Sequence, residues 1–186
     1  MPIINRSESR AISLYILNGG NAMRILGAML VCLCMSFGSE LEGYYMTHKG
    51  VSGQQSIIEF FKLNDKYYAY GFVNVDGSPP KKDVKNPNPA LRNRTDKGVV
   101  FMYNLVRDGD SDVFKDGRAY DFDGHTYNVK ITIVKNELQL RFSVDKSGFI
   151  GETKVWRRLS QEEVKPYLSQ KPDFSAVLES LKDIQP

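Results

Sequence analysis

The chain has 186 residues, 41% of them apolar and 25% charged, with a net charge of +3. This length suits one domain with a real core, and the composition excludes wholesale disorder. In the first 39 residues Arg6, Arg10 and Arg24 stand against Glu8 alone; the rest holds 22 basic and 21 acidic residues and has no electrostatic footprint for a nucleic acid.

Arg24 precedes an apolar run, "ILGAMLVCLCMSF", that ends at Gly38 and Ser39. A basic start, a core of this length and a small-residue exit describe a secretory signal peptide. The run is too short for a stable membrane span, which needs roughly 18 or more apolar residues. Residues 1–39 are therefore expected to be an extension plus leader, with translation starting at Met23 and cleavage near Ser39. Both cysteines, Cys32 and Cys34, lie inside the run. A lipoprotein signal would use one of them, but Val31 and Leu33 directly before each fit that processing poorly. After cleavage the chain would hold no thiol, disulfide or sulfur metal ligand.

From 40 to 159 the sequence reads as short strands separated by turn signals. "LEGYYMTH" is the first. "QQSIIEFFKL" and "KYYAYGFVNV" flank Asn64-Asp65 as a hairpin, with Ile58 and Phe60 on one face and Ile57 and Phe61 on the other. Because both faces are apolar, something is expected to cover the outer one. "GVVFMYNLV" is a further strand. "HTYNVKITIV" and "ELQLRFSV" alternate cleanly across Lys135-Asn136, so Tyr127, Val129, Ile131 and Ile133 share a buried face with Leu138, Leu140, Phe142 and Val144. "FIGETKVWRRL" closes a set of about eight antiparallel strands, the pattern of an all-β barrel or sandwich.

Two segments break this rhythm. Residues 76–98 hold four prolines and the densest basic spots, Lys81-Lys82 and Arg92-Asn93-Arg94, and read as a long solvated loop with a short helical turn at "PALRN". Loops of this length are usually functional, so it is a candidate lid or partner contact. Residues 160–186 change period. Ser160 with Glu163 forms a capping box, and Phe174, Val177, Leu178, Leu181 and Ile184 fall on one helical side. This tail is expected to pack on the barrel and cover its doubly apolar strands.

Little catalytic chemistry is visible. "GRAYDFDGHTY", residues 117–127, brings Asp121, Asp123 and His125 together, but its spacing lacks the ligands of a calcium loop. Asp-Gly between alternating segments is a hairpin signal, with Gly124 at positive φ and Asp123 capping the turn. No phosphate loop and no nucleophile elbow is present. An enzyme is not expected, nor any cofactor or metal; it would require His48, His125 and Asp121 or Asp123 to converge.

Gly43-Tyr44-Tyr45, "NPNPALRNR", "GRAYDFDGHTY", "LQLR" and "GETKVWRR" occur in an order that resembles a bacterial family of exported proteins known only as a domain of unknown function. Its members read G-x-W, N-P-D with L-R, G-x-I-Y-D-P-x-x-G-K-x-Y, L-x-x-R-G and G-x-T-x-x-W-x-R. The resemblance spans about 41–159 and implies a lipocalin-like (calycin-like) barrel, periplasmic or secreted, with a small-ligand pocket and no agreed catalytic residues. Tyr45 stands where Trp is usual, Phe122 where Pro is, and Phe142 where Gly is. The first still suits an aromatic plug at the closed end, with Trp156 and Arg157 or Arg158 stacked against it.

The expected function is the binding of one small hydrophobic or amphipathic molecule in the barrel. Its predicted lining is Tyr45, Tyr127, Val129, Ile131, Leu138, Leu140 and Phe142, with Phe61, Phe101 and Tyr103 opposite. The alternative is an envelope or host-facing interaction module with a filled core and residues 76–98 as its contact surface.

Overall fold

The computed structural model describes residues 40–50 and 53–184. The expected leader, its two cysteines and the expected start and cleavage points lie outside these residues. Eight strands run up and down in sequence order: β1 (Gly43–Met46), β2 (Ser56–Leu63), β3 (Lys66–Asn74), β4 (Val100–Arg107), β5 (Val113–Tyr120), β6 (Thr126–Val134), β7 (Glu137–Ser143) and β8 (Gly151–Arg158). Each pairs antiparallel with the next, and β1 pairs with β8. The expected all-β fold is thus a closed antiparallel barrel with no free edge.

The tight turns follow from residue type. Asn64 and Asp65 join β2 to β3 with φ of 49° and 61°, a left-handed conformation that Asn and Asp tolerate. Lys135-Asn136 joins β6 to β7, and the register runs unbroken from Val134 opposite Glu137 to Asn128 opposite Ser143. The inward row of this hairpin is the predicted one, except that Val144 lies beyond β7 and is exposed. Between β5 and β6 the turn is capped by Asp121 rather than by Asp123. Asp121 Oδ1 accepts from the amides of Asp123 and His125, because a carboxylate two residues ahead of an N–H closes an Asx turn. Gly124 does take positive φ, 93°, and a Cβ there would stand only 2.8 Å from the Lys85 carbonyl oxygen.

One end of the barrel is filled. The Tyr45 and Phe60 rings meet edge to face at 5.4 Å between centres, and those of Tyr67 and Phe114 at 5.0 Å. Arg158 lies over the Tyr45 ring at 5.3 Å, the stacking expected of the closing strand. Its guanidinium donates to the carbonyls of Glu40, at 2.8 Å, and of Glu42. Gly43, at φ 131°, allows this approach: a Cβ there would stand 3.0 Å from Arg158 Nη2.

Burial pushes the Tyr45 hydroxyl up to about 12, partly offset by the Arg158 charge. In the unfolded chain the phenol ionises near its ordinary 10. Its folded pKa is raised, so the stability it contributes is present below pH 10 and is lost as pH rises from 10 to about 12. In an alkaline titration of unfolding Tyr45 is expected to contribute roughly 2 to 3 kcal/mol of the loss across this window. Tyr45→Phe should reduce the loss by that amount and leave the part that belongs to other phenols raised by burial, such as Tyr70.

The tail covers the outer faces of β2, β3 and β4, as the doubly apolar pattern requires. Ser160 and Glu163 make both bonds of the capping box at the start of α1 (Gln161–Val164). A 3-10 segment (Lys165–Gln170) leads toward α2 (Phe174–Glu179), and a second (Ser180–Asp183) follows it. Val177 is fully buried among Phe61, Tyr70, Val100 and Tyr103, with Leu178, Leu181 and Ile184 packed against the same cluster. Val164 sits with Ile57, Phe72 and Leu159 in a neighbouring one. Lys171 ties the tail down by donating to Glu59, at 2.8 Å, and to the Tyr44 hydroxyl, at 2.9 Å. Burial opposes its charge, but these hydrogen bonds outweigh it and raise its pKa.

The long loop is pinned by a buried carboxylate. Asp83 is 0% exposed. Its Oδ1 accepts from the Tyr120 hydroxyl at 2.7 Å, and its Oδ2 from Asn86 Nδ2 at 2.6 Å and Arg94 Nε at 3.0 Å. Arg94 reaches on to Asp183 in the tail, also at 3.0 Å. Burial, and then the bond to Asp83, raise the Tyr120 pKa well above the usual range for a phenol. The predicted helical turn is a 3-10 segment over Pro89–Leu91, capped by the Asn88 side chain.

Candidate functional site: an apolar cavity in the open half of the barrel

The loops β1–β2, β3–β4, β5–β6 and β7–β8 surround the end opposite the plug. Below them lies a cavity of about 540 Å³. This is within the roughly 300–1,000 Å³ range of small-molecule sites. Ile58, Phe101, Ala119, Tyr127, Phe142 and Trp156 border it, together with Gly71, Lys154 and Glu152. Small residues at 71 and 119 leave the space that ring-bearing residues fill at the other end. Trp156 marks the boundary, its ring 6.3 Å from Phe60 on the plug side and 6.5 Å from Phe101 on the cavity side.

The predicted lining divides three ways. Phe101, Tyr127 and Phe142 do border the cavity. Tyr45, Val129, Ile131, Leu138 and Leu140 face the barrel interior but belong to the packed core and do not border the cavity. Phe61 and Tyr103 point the other way, into the cluster beneath α2. For Phe61 the reason is that both faces of β2 are apolar, so alternation alone cannot choose the inward one. For Tyr103 the reason is a break in the β3–β4 register. Phe101 and Met102 both join the interior cluster, Tyr103 turns outward, and Asn104, at φ 62°, restores Leu105 to the inside.

The sequence reading missed Ile58, Gly71, Ala119, Glu152, Lys154 and Trp156 as cavity residues. The last three share the inner face of β8, where the register sets Glu152 opposite Phe142, Lys154 opposite Leu140, and Trp156 opposite Leu138. Lys154 Nζ lies 2.8 Å from Glu152 and 5.6 Å from the centre of the Phe142 ring.

The histidine and aspartates of the 117–127 turn make only a local contact. His125 Nδ1 is 3.6 Å from Asp121 Oδ2 on an exposed turn. Among the described residues, no group of three or more His, Cys, Asp or Glu side chains is placed to hold a metal ion. Also among them, no helix is long and apolar enough to cross a membrane.

A closed, eight-stranded antiparallel barrel, plugged at one end and hollow at the other, defines a lipocalin-like protein. Residues 43–158 match the family described as "Uncharacterized protein conserved in bacteria (DUF2147)", and the chain belongs to that family. It is also similar to a solved structure described as "Protein HP1028 from the human pathogen Helicobacter pylori belongs to the lipocalin family". The two are 45% identical with a TM-score of 0.71, over 76% of this chain and 98% of the other. No curated protein matches the chain.

Proposed function

We propose that this protein is an exported, lipocalin-like carrier that holds one small, largely apolar molecule in the open half of its barrel, and that its role is binding and not catalysis. The observation that carries the reading is the 540 Å³ cavity bordered by Phe101, Tyr127, Phe142 and Trp156. A concave space of this size with aromatic and aliphatic walls and a few polar groups at its rim suits a small, largely apolar guest. The lipocalin relationship of the Helicobacter pylori protein supports the same reading. Export rests on the leader-like run after Arg24 and on the confinement of both cysteines to it.

Binding is tested by titrating the delipidated barrel with a fluorescent fatty-acid probe. The expected result is saturable 1:1 binding that an unlabelled apolar competitor reverses. A flat titration at micromolar protein would reject the carrier role. Amino-terminal sequencing of the protein recovered from outside the cytoplasm should read from near residue 40, and a sequence starting at Met1 or Pro2 would reject the leader.

A further inference from the structure

The inner face of β8 departs from the apolar rule of the barrel interior. Alternate residues of a strand share a face, so Glu152, Lys154 and Trp156 all belong to it, against Phe142, Leu140 and Leu138 on β7. Two of these three are charged on a barrel wall that is otherwise mostly apolar, and Asp96, Lys97 and Asp121 also border the cavity from the loops at its mouth. The two charged residues of the strand also differ in exposure. The Glu152 side chain is 66% exposed at the rim, whereas that of Lys154 is only 31% exposed and lies over the Phe142 ring. An ammonium carries three donors, and Glu152 engages one of them. The Phe142 ring face attracts the charge but accepts no conventional hydrogen bond, so donors of Lys154 remain open to an acceptor in the cavity.

A second, independent observation lies two residues deeper. Trp156 is 5% exposed, and its Nε1–H is buried with no acceptor among the described residues. The indole can only donate, so nothing but an acceptor brought from outside satisfies it. Orphaned buried donors are rare and call for a partner. The same strand face therefore presents an underused cation and an unused N–H donor, both at the border of one cavity. The loops around the mouth carry a modest positive excess: Lys81, Lys82, Lys85, Arg92, Arg94 and Lys97 stand against three aspartates in the β3–β4 loop, and Lys49 in the β1–β2 loop, with Asp121 and Asp123 in the β5–β6 turn on the other side of the balance. This excess favours the approach of an anion.

We propose that the occupant is a small organic anion, a carboxylate on an apolar body. Its oxygens accept from Lys154 Nζ and Trp156 Nε1, and its body lies against Phe101, Tyr127 and Phe142. This rests on the carrier reading above and specifies the chemistry of that site.

Trp156 is the single tryptophan of the chain, so its fluorescence reports on the cavity directly. Decanoate and decanol, which share a chain and differ in charge, are titrated at pH 8. Decanoate is expected to bind at least tenfold more tightly than decanol. Lys154→Met should remove that preference, so that decanoate binds no more tightly than decanol. Glu152→Gln frees the ammonium and should tighten decanoate several-fold. Trp156→Phe, followed by calorimetry, should weaken decanoate further than decanol. Equal affinities for the two probes in the unmodified protein, or a preference that survives Lys154→Met, would overturn the anion assignment and leave the carrier reading standing. If neither probe binds and the fluorescent fatty-acid titration is flat as well, both fall together.

Discussion

Asp83→Ala is expected to cost about 3 to 5 kcal/mol of stability, the loss typical of breaking a buried ion pair from one side. Three donors converge on that carboxylate, from Tyr120 on β5, from Asn86, and from Arg94, whose side chain is only 19% exposed. Removing it leaves Tyr120 and Asn86 without this acceptor and Arg94 without one of its two carboxylates. Arg94 keeps its bond to Asp183, which limits the loss but pulls the arginine toward the tail. Urea unfolding measures the effect. Asp123→Asn is the natural control, because the Lys85–Asp123 pair joins the same loop to the β5–β6 turn at 3.0 Å with both side chains more than 60% exposed. Exposed pairs of this kind contribute little, and no measurable change in the midpoint is expected. Equal effects from the two variants would show that the loop is held by something other than the buried carboxylate.

Ala119→Phe is expected to abolish ligand binding, lowering probe affinity by about 100-fold or more, equivalent to roughly 2.7 kcal/mol. Ala119 lies on the cavity wall, in register between Met102 on β4 and Tyr127 on β6. A ring there grows into the empty space and not into the packed core. Overpacking a filled interior usually costs about 1 to 3 kcal/mol, but a side chain placed in a void escapes most of that strain. Unfolding stability should therefore hold or rise while binding disappears. Probe displacement and urea unfolding on the same preparation separate the two quantities. Binding that survives Ala119→Phe would place the ligand outside the barrel.

Much of the architecture is legible in the sequence because the strands alternate wherever one face is wet. The β6–β7 hairpin is the plainest case: Lys130, Thr132, Gln139 and Arg141 on the outside leave one choice for the inner row. The tail stripe is legible for the same reason at a helical period, and the two apolar faces of β2 foretell that something covers them. Where a strand is apolar on both sides, periodicity gives the element but not its orientation, and Phe61 is placed wrongly on that account. Tyr103 fails differently. Left-handed Asn104 and the double inward step at Phe101 and Met102 break the period in a way that no single apolar residue announces.

The cavity residues of β8 are hidden for a third reason. In "GETKVWRR" the inward row is Glu152, Lys154 and Trp156, while Val155 faces solvent at 43% exposure. Hydropathy alone points the wrong way. The register of the plain β7 alternation was the available signal, since antiparallel pairing with Leu138, Leu140 and Phe142 fixes which β8 residues turn inward. The turn at 117–127 was likewise read correctly as a turn but with its cap on the wrong aspartate. Both carboxylates precede an amide that needs an acceptor, and only the geometry distinguishes Asp121 from Asp123.

The closing contact between β1 and β8 is the shortest in the barrel. Its register holds only Tyr45 opposite Arg158 and Met46 opposite Arg157, whereas β7 and β8 pair along their whole length. These partners come from opposite ends of the barrel sequence, so joining them carries the largest loop-closure entropy of any strand pair. It follows that the sheet curls first and seals last. Until it seals, two strand edges are open to other chains. Residues after β8 bear directly on this step: the Leu159 amide donates to the Tyr44 carbonyl at 2.8 Å, and Lys171 in the tail holds the Tyr44 hydroxyl. Residues that look like an outer covering thus also fasten the strand at the barrel's seam to its own chain.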